Sequence, residues 1–391
     1  MKRSSRLTGL GFGLMTHREK SHKEREVKRS SPFTGFGFKT RLKATLGFLA
    51  LSVIVAGCGA TASNTVPAKT VVSKHLTPVT LAESTGLLAF AVSNVAEGKG
   101  FFADNGLDVS LAYDAGDTAT DPAVMTGAAQ FGIGTAPPLL KYQVLGEHPL
   151  LVAAINNQVD QQFIMSSATA HKLGITSGMS LEEMFSRMKG KSLKMATLDI
   201  GGTLQLDFNA VAAQYGLDPS TYTWTAIPSY PSILLALKTG EVDVASVGLP
   251  YGDIGVADGY AIMLCDLWSG GYSRYAGSDY SALFTTKAYA TTHKAVVERM
   301  YRAIGEALSY MHAHPASAVS IIHAAIPGIT TKILTRLLVA KHAVGFPTSP
   351  TISVKGFDVL RLAAAQTVDP TTESVTYKSI VWSGARAKGA R

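Results

Sequence analysis

Residues 239–250, Thr-Gly-Glu-Val-Asp-Val-Ala-Ser-Val-Gly-Leu-Pro, repeat the plan of residues 126–137, Thr-Gly-Ala-Ala-Gln-Phe-Gly-Ile-Gly-Thr-Ala-Pro. In each, a helical pattern ends on Thr-Gly, an apolar run follows, and a proline stands ten residues after the glycine. Gly127 and Gly240 sit where a helix has just ended, a position at which left-handed φ costs glycine nothing. The runs behind them, 129–134 and 242–247, are short and apolar, as strands buried on both faces are. A second echo lies upstream, Asn105-Gly106-Leu107-Asp108 against Tyr215-Gly216-Leu217-Asp218. One αβ plan used twice predicts two similar lobes.

Outward from these runs the same alternation continues. A buried strand begins at Thr77 with Pro-Val-Thr-Leu-Ala behind it, Ser84-Thr85-Gly86 forms a loop, and a helix is expected over 87–97. Asn105-Gly106 stops the next helix and 107–111 alternates as a strand. Ser180-Leu181-Glu182-Glu183 fits a capping box, in which serine and glutamate satisfy each other's free backbone N–H groups. A strand at 193–198 then leads through Asp199 to Thr203 into a helix over 204–215. Beyond 286 the pattern is helical, at 287–313, 317–325, 331–342 and 354–366. Strands alternating with helices predict mainly parallel sheets.

The N-terminal region points to export. A basic segment precedes an apolar run at 46–56, which stops at Val55-Ala56-Gly57-Cys58. That tetrapeptide resembles a bacterial lipobox, in which Cys58 is lipidated and the chain cut just before it. The apolar run is shorter than the roughly 20 residues a membrane span needs, so a signal peptide is expected over residues 1–57. Its basic segment is long, and Met15 is one candidate start. A tether without helix or strand periodicity occupies 58–76. The net charge of +8 belongs to the leader, where 12 Lys and Arg face three Glu, a surplus of +9. The rest of the chain sums to −1, so no basic stripe is left for a nucleic-acid backbone. After Cys58 only Cys265 remains, in an apolar run, and it is expected to be a buried small hydrophobe.

The blocks GLLAFAVSNVAEGKGFFADNGLDVSL, TGAAQFGIG, MATLDIGGTLQLDFNAVAAQYGLD and LLALKTGEVDVASVGLP, with the lipobox before them, together resemble the substrate-binding proteins of bacterial import ATPases, in the nitrate, sulfonate, taurine and thiamine-precursor branch. The resemblance runs over about 77–346. It implies an α/β fold of the second periplasmic binding-protein class, two lobes with mainly parallel sheets joined by two hinge crossings and a ligand in the cleft. Crossings are expected near 163–167 and 283–286, giving one lobe from 77–165 plus 285–391 and another from 166–284. It also implies an ABC permease with its ATPase as partners, membrane attachment through lipid on Cys58, a position outside the cell membrane or in the periplasm, and no enzymatic activity. A related fold includes a thiamine-pyrimidine synthase that depends on a cysteine-rich motif, which this chain does not carry.

In open parallel sheets ligands bind beyond the carboxyl ends of strands, which nominates four loops: Ser84-Thr85-Gly86, Thr135-Ala136-Pro137, Asp199 to Thr203 with Gly201 and Gly202, and Leu249-Pro250-Tyr251. Two of these immediately precede helices, whose free N–H groups suit an oxyanion. Alkanesulfonate or taurine-like solutes therefore lead, with nitrate behind. Asp199 is either a helix N-cap or a partner for an ammonium or heterocyclic N–H, and Tyr251, Tyr230 and Trp268 offer flat faces. The alternative ligand is a heterocycle or aromatic carboxylate such as a thiamine-pyrimidine precursor. A sensory relative that signals to a membrane partner is the remaining reading. His312 and His314 are two apart and face different ways on a helix, no paired cysteines or HExxH occur, and neither metal nor cofactor is expected. Replacing Cys58 with Ala should leave the protein uncleaved or soluble, checked by labelling cells with radioactive fatty acid, and continued labelling would refute the lipobox.

Overall fold

The computed structural model describes residues 75–84, 86–114, 116–340 and 345–389. The leader, Cys58 and most of the tether, as well as Thr85, lie outside them. Residues 70–391 form one compact unit.

Among the described residues ten strands make two five-stranded sheets. They are β1 (Thr77–Ser84), β2 (Leu107–Asp114), β3 (Phe131–Thr135), β4 (Pro149–Ala154), β5 (Gln161–Ser166), β6 (Lys194–Thr197), β7 (Thr223–Ala226), β8 (Val244–Gly248), β9 (Ala261–Asp266) and β10 (Ser281–Thr286). The first sheet has the order β2-β1-β3-β10-β4 and the second β7-β6-β8-β5-β9. The two repeated apolar runs become β3 and β8, each buried at all five positions and third in its sheet. The helices that position the site are α1 (Val92–Gly98), α2 (Asp117–Met125), α3 (Leu181–Met188), α4 (Thr203–Gln214), α5 (Tyr230–Thr239), α6 (Tyr251–Ala257), α7 (Lys294–Ala313) and α8 (Val354–Thr367). The capping box forms at α3 with both of its bonds, and Gly240 ends α5 at φ 78°.

Each sheet contains one strand running against its neighbours. β10 is antiparallel to β3 and β4, and β5 is antiparallel to β8 and β9. These are the strands that come directly after the passages between lobes, and their pairing corrects the expected crossings. β5 is hydrogen-bonded into the second sheet and β10 into the first, so the passages are 155–160 and 267–280, each one strand ahead of the positions near 163–167 and 283–286. Apolar strand residues do not reveal which sheet they join, because both sheets bury them alike. The passages lie side by side: Ile155 N donates to Ser281 O at 2.9 Å and Ser281 N to Asn156 Oδ1 at 3.0 Å.

The expected helix over 87–97 is broken. A short 3₁₀ turn, Leu88–Phe90, precedes α1, and Leu88 N, free as a first-turn N–H, donates across to Leu249 O at 3.0 Å. Cys265 is buried, and burial pushes its thiol up to about 12. The core of the second lobe centres on Phe208 of α4, whose ring meets Phe163 at 5.0 Å, Trp224 at 5.5 Å and Phe185 at 6.0 Å. Ala363 of α8 joins that core, so the C-terminal region packs against both lobes. Phe208→Ala should cost about 3–5 kcal/mol through lost burial and the cavity left behind, read as a lower denaturation midpoint.

Candidate functional site

The carboxyl ends of β1 and β2 in one lobe face the ends of β6 and β8 in the other, and a cavity of about 370 Å³ lies between them. A narrow recess of about 20 Å³ adjoins it and shares Ser84, Leu87, Phe90, Leu198 and Tyr230 as walls. Tyr230 at the start of α5 and Tyr251 at the start of α6 stack with centroids 4.3 Å apart and planes 15° apart, making one flat wall. Leu87, Phe90, Ile326 and Pro327 add apolar surface.

The polar groups of the cavity are acidic. Glu83, the penultimate residue of β1, is buried and points into it. Its Oε1 accepts from Ser93 Oγ at 2.9 Å, whereas Oε2 has no hydrogen-bond partner among the described residues. Burial, opposed only partly by the Ser93 bond, pushes this carboxyl up to about 8. Asp114, at the end of β2, accepts from Thr120 Oγ1 at 2.7 Å, and burial raises its carboxyl above the ordinary range. Tyr113 bonds Asn94 Nδ2 at 3.0 Å, and Ser84 Oγ is buried without a partner among the described residues. Asp160 and Asp199 line the recess. Among the described residues lining the cavity and the recess there are four carboxyl groups and no Lys, Arg or His.

Of the residues nominated from sequence, Ser84, Thr135, Asp199 and Thr203 meet in the recess, and Gly86 and Tyr251 line the cavity. Thr135 Oγ1 donates to Thr203 Oγ1 at 3.3 Å, from one lobe to the other. Thr85 is outside the described residues. Ala136, Gly201, Gly202 and Pro250 lie off the lining: Ala136 is fully buried and Pro250 precedes α6 as its N-cap. Asp199 is not a helix cap. Gly202 holds that position in α4, and Asp199 Oδ2 instead accepts from Thr118 Oγ1 of α2 at 2.7 Å, across the cleft.

At each of the two helix starts offered as oxyanion sites one backbone N–H is engaged within the protein. Leu88 N serves Leu249 O, and Gly201 N donates to Gln205 Oε1 at 2.8 Å. A carboxylate already sits over the second start, since a Cβ at Gly202 would fall 2.2 Å from Asp199 Oδ1. Sequence reasoning missed Glu83, Asn94, Tyr113 and Asp114. A glutamate inside the apolar run of β1 was the available signal, because an acid is almost never fully buried without a role. Asp114 escaped because the second strand was ended at residue 111, short of its cleft end.

Further contacts hold the lobes together. Tyr251 Oη donates to Gly86 O at 3.1 Å, and Arg336 pairs with Asp253 at 2.5 Å. Gly248 closes against Leu87, whose Cδ2 would lie 2.2 Å from a Cβ at that position.

Residues 89–318 match the family described as NMT1/THI5 like. The chain belongs to that family. No curated protein sequence matches it. Its fold is that of a protein from Bordetella bronchiseptica RB50 (20% identity, TM-score 0.67, 79% of this chain and 95% of that one). It is also that of the alkanesulfonate-binding protein SsuA from Xanthomonas axonopodis pv. citri bound to MOPS (16%, 0.59, 79% and 98%). A third is the periplasmic nitrate-binding protein NrtA from Synechocystis PCC 6803 (13%, 0.59, 78% and 86%). At these identities the likeness is one of fold.

Gly202→Val should drive Asp199 off its bond to Thr118 and weaken ligand binding at least tenfold, with the melting temperature within a few degrees of wild type. Equal loss of fold and binding would mark Gly202 as a packing residue.

Proposed function

We propose that this member of the NMT1/THI5-like family is the exported, lipid-anchored solute-binding component of an ABC importer and carries out no turnover. The two-lobe fold, the cavity between the lobes and the likeness in fold to an alkanesulfonate-binding and a periplasmic nitrate-binding protein support the role. The lipobox at Cys58 supports the anchor. Its solute is a compact heterocyclic amine of the aminopyrimidine kind, the class to which thiamine precursors belong. The observation that carries this is a cavity lined by the carboxyl groups of Glu83 and Asp114, with two more in the adjoining recess, and no cationic side chain along the described lining of either.

Each wall has a part in this reading. The Tyr230–Tyr251 stack covers the face of a ring, an arrangement that also favours a cation near the aromatic surface. Glu83 Oε2 and Ser84 Oγ accept from the ring's N–H groups. A sulfonate or nitrate would find no Lys, Arg or His along the described lining to balance its charge, which is why the oxyanion reading gives way. Closure of the lobes then buries the solute, and the closed form is what a permease engages.

Thermal-shift measurements on residues 59–391 test this. An aminopyrimidine at about a hundred times its dissociation constant should add roughly 2.7 kcal/mol of stability, and Glu83→Gln should weaken binding about 10-fold or more. Stabilisation by sulfonates or nitrate with none by heterocyclic amines would overturn the assignment.

The pH dependence has a fixed sign. The ordinary carboxyl value is 4.5 and the folded value about 8, so the folded, ligand-free protein keeps a proton that the unfolded chain has lost. Glu83 therefore lowers stability progressively as pH rises from 4.5 to 8, with no further change above. Glu83→Gln should flatten that slope. An aminopyrimidine is largely neutral at pH 7, so pairing with Glu83 moves the carboxyl proton onto the ring nitrogen and releases none to the buffer. Calorimetry in two buffers of different ionisation enthalpy should therefore give the same binding heat at neutral pH.

A further inference from the structure

The far end of the first sheet carries a second concavity that the solute-binding reading leaves unused. It is a groove of about 840 Å³ in which Lys287, Lys294, Arg302, Lys378 and Arg386 stand against one acid, Glu298. Among the described residues none of these five cations is in an ion pair. Arg386 spends its guanidinium on the backbone oxygens of Val381 and Lys378, and Arg302 bonds Asn105, so their charge is uncompensated. Trp382 and Tyr301 stand at the groove with ring centroids 5.4 Å apart.

Its place in the fold is set by strand direction. β1 begins at Thr77, β4 begins at Pro149, and β10 runs the opposite way to end at Thr286, opposite Pro149. All three of these termini are therefore at the end of the sheet away from the cleft. Lys287 comes directly after β10. Arg299 of α7 donates to Thr77 Oγ1 at 3.1 Å and to Gly106 O at 3.0 Å, while Lys294, Glu298 and Arg302 of the same helix face the groove. The strand that continues from the N-terminal tether thus starts within about a turn of helix from the cationic surface.

We propose that this groove docks the first lobe on an anionic phospholipid surface, with its cations over the phosphate headgroups. A chain whose tether leads to a lipid meets the membrane at the end where β1 begins, and there it presents five positive charges to one negative. Trp and Tyr are the side chains that settle at headgroup level, and Trp382 and Tyr301 occupy that place here. In this pose the cleft, at the other end of the sheet, is turned to the solution for capture. The proposal rests on the lipid-anchored reading only for which surface is near, and its test uses protein without lipid.

Residues 59–391 would be sedimented with vesicles of equal parts phosphatidylglycerol and phosphatidylcholine, and with phosphatidylcholine alone. Binding is expected on the first, not on the second, and should vanish at high salt as screening shortens the range of the charges. With about fivefold for each cation near the surface, Lys287→Gln, Lys294→Gln and Lys378→Gln together should weaken binding on the order of a hundredfold. The same number of charges removed from the other lobe, by Lys172→Gln, Lys189→Gln and Lys191→Gln, should change it little. Equal loss in both triple variants would reduce the effect to net charge and overturn the proposal. So would absence of vesicle binding, with or without saturable binding of inorganic phosphate. The solute-induced rise in melting temperature should be unchanged in the groove variant, which keeps this test separate from that of the cleft.

Discussion

A carboxyl group at the inner end of β1 sets the chemistry of the cleft. Glu83 is carried there by a strand buried on both sides, too far from water to be solvated and fixed by Ser93 on one oxygen only. Burying an ionised carboxylate without a partner is prohibitively costly, so the group takes up a proton instead. What it faces must therefore either tolerate a neutral acid or supply the positive charge that lets it ionise. Asp114, held by Thr120 on the neighbouring strand's side of the cleft, reinforces the same demand. An anion finds no cationic side chain along the described lining to balance its charge.

The second constraint is mechanical. Both passages between the lobes run next to each other, joined where Ile155 and Asn156 bond Ser281, and on the proposed reading rotation would be concentrated in these segments. The second passage is itself tied to the C-terminal helix: Asp279 accepts from Ser353 N at 2.7 Å, at the start of α8. Across the cleft, among the described residues, Leu88 bonds Leu249, Thr135 bonds Thr203, Thr118 bonds Asp199, Tyr251 bonds Gly86, and Arg336 pairs with Asp253. Bonds of this kind exchange with water when the lobes part, so the balance between open and closed forms is easily tipped by a solute that touches both sides.

Most of the architecture was legible because it rests on local rules. The paired Thr-Gly punctuation located β3 and β8, and the capping box located α3, since these features depend on neighbours in sequence. The passages were displaced by a strand because the residues of β5 and β10 look alike from either sheet. The site was half legible. Strand ends and helix starts are readable, and they led to Ser84, Thr135, Asp199, Thr203 and Tyr251. Whether the N–H groups of a helix start are free depends partly on tertiary contacts. Leu249 reaches one N–H of the first start from the other lobe, whereas Gln205, only four residues on, takes the Gly201 N–H at the second.

Gly248 gives the closed form a narrow tolerance. It ends β8 where Leu87 and the hydroxyl of Tyr230 press in from two sides, and even one added carbon would overlap both. The overlap with Leu87 arises only when the lobes meet, whereas that with Tyr230 lies within the second lobe. On the proposed reading, a relative with a side chain there would be held ajar and would also have its tyrosine stack displaced, losing closure and the flat wall together.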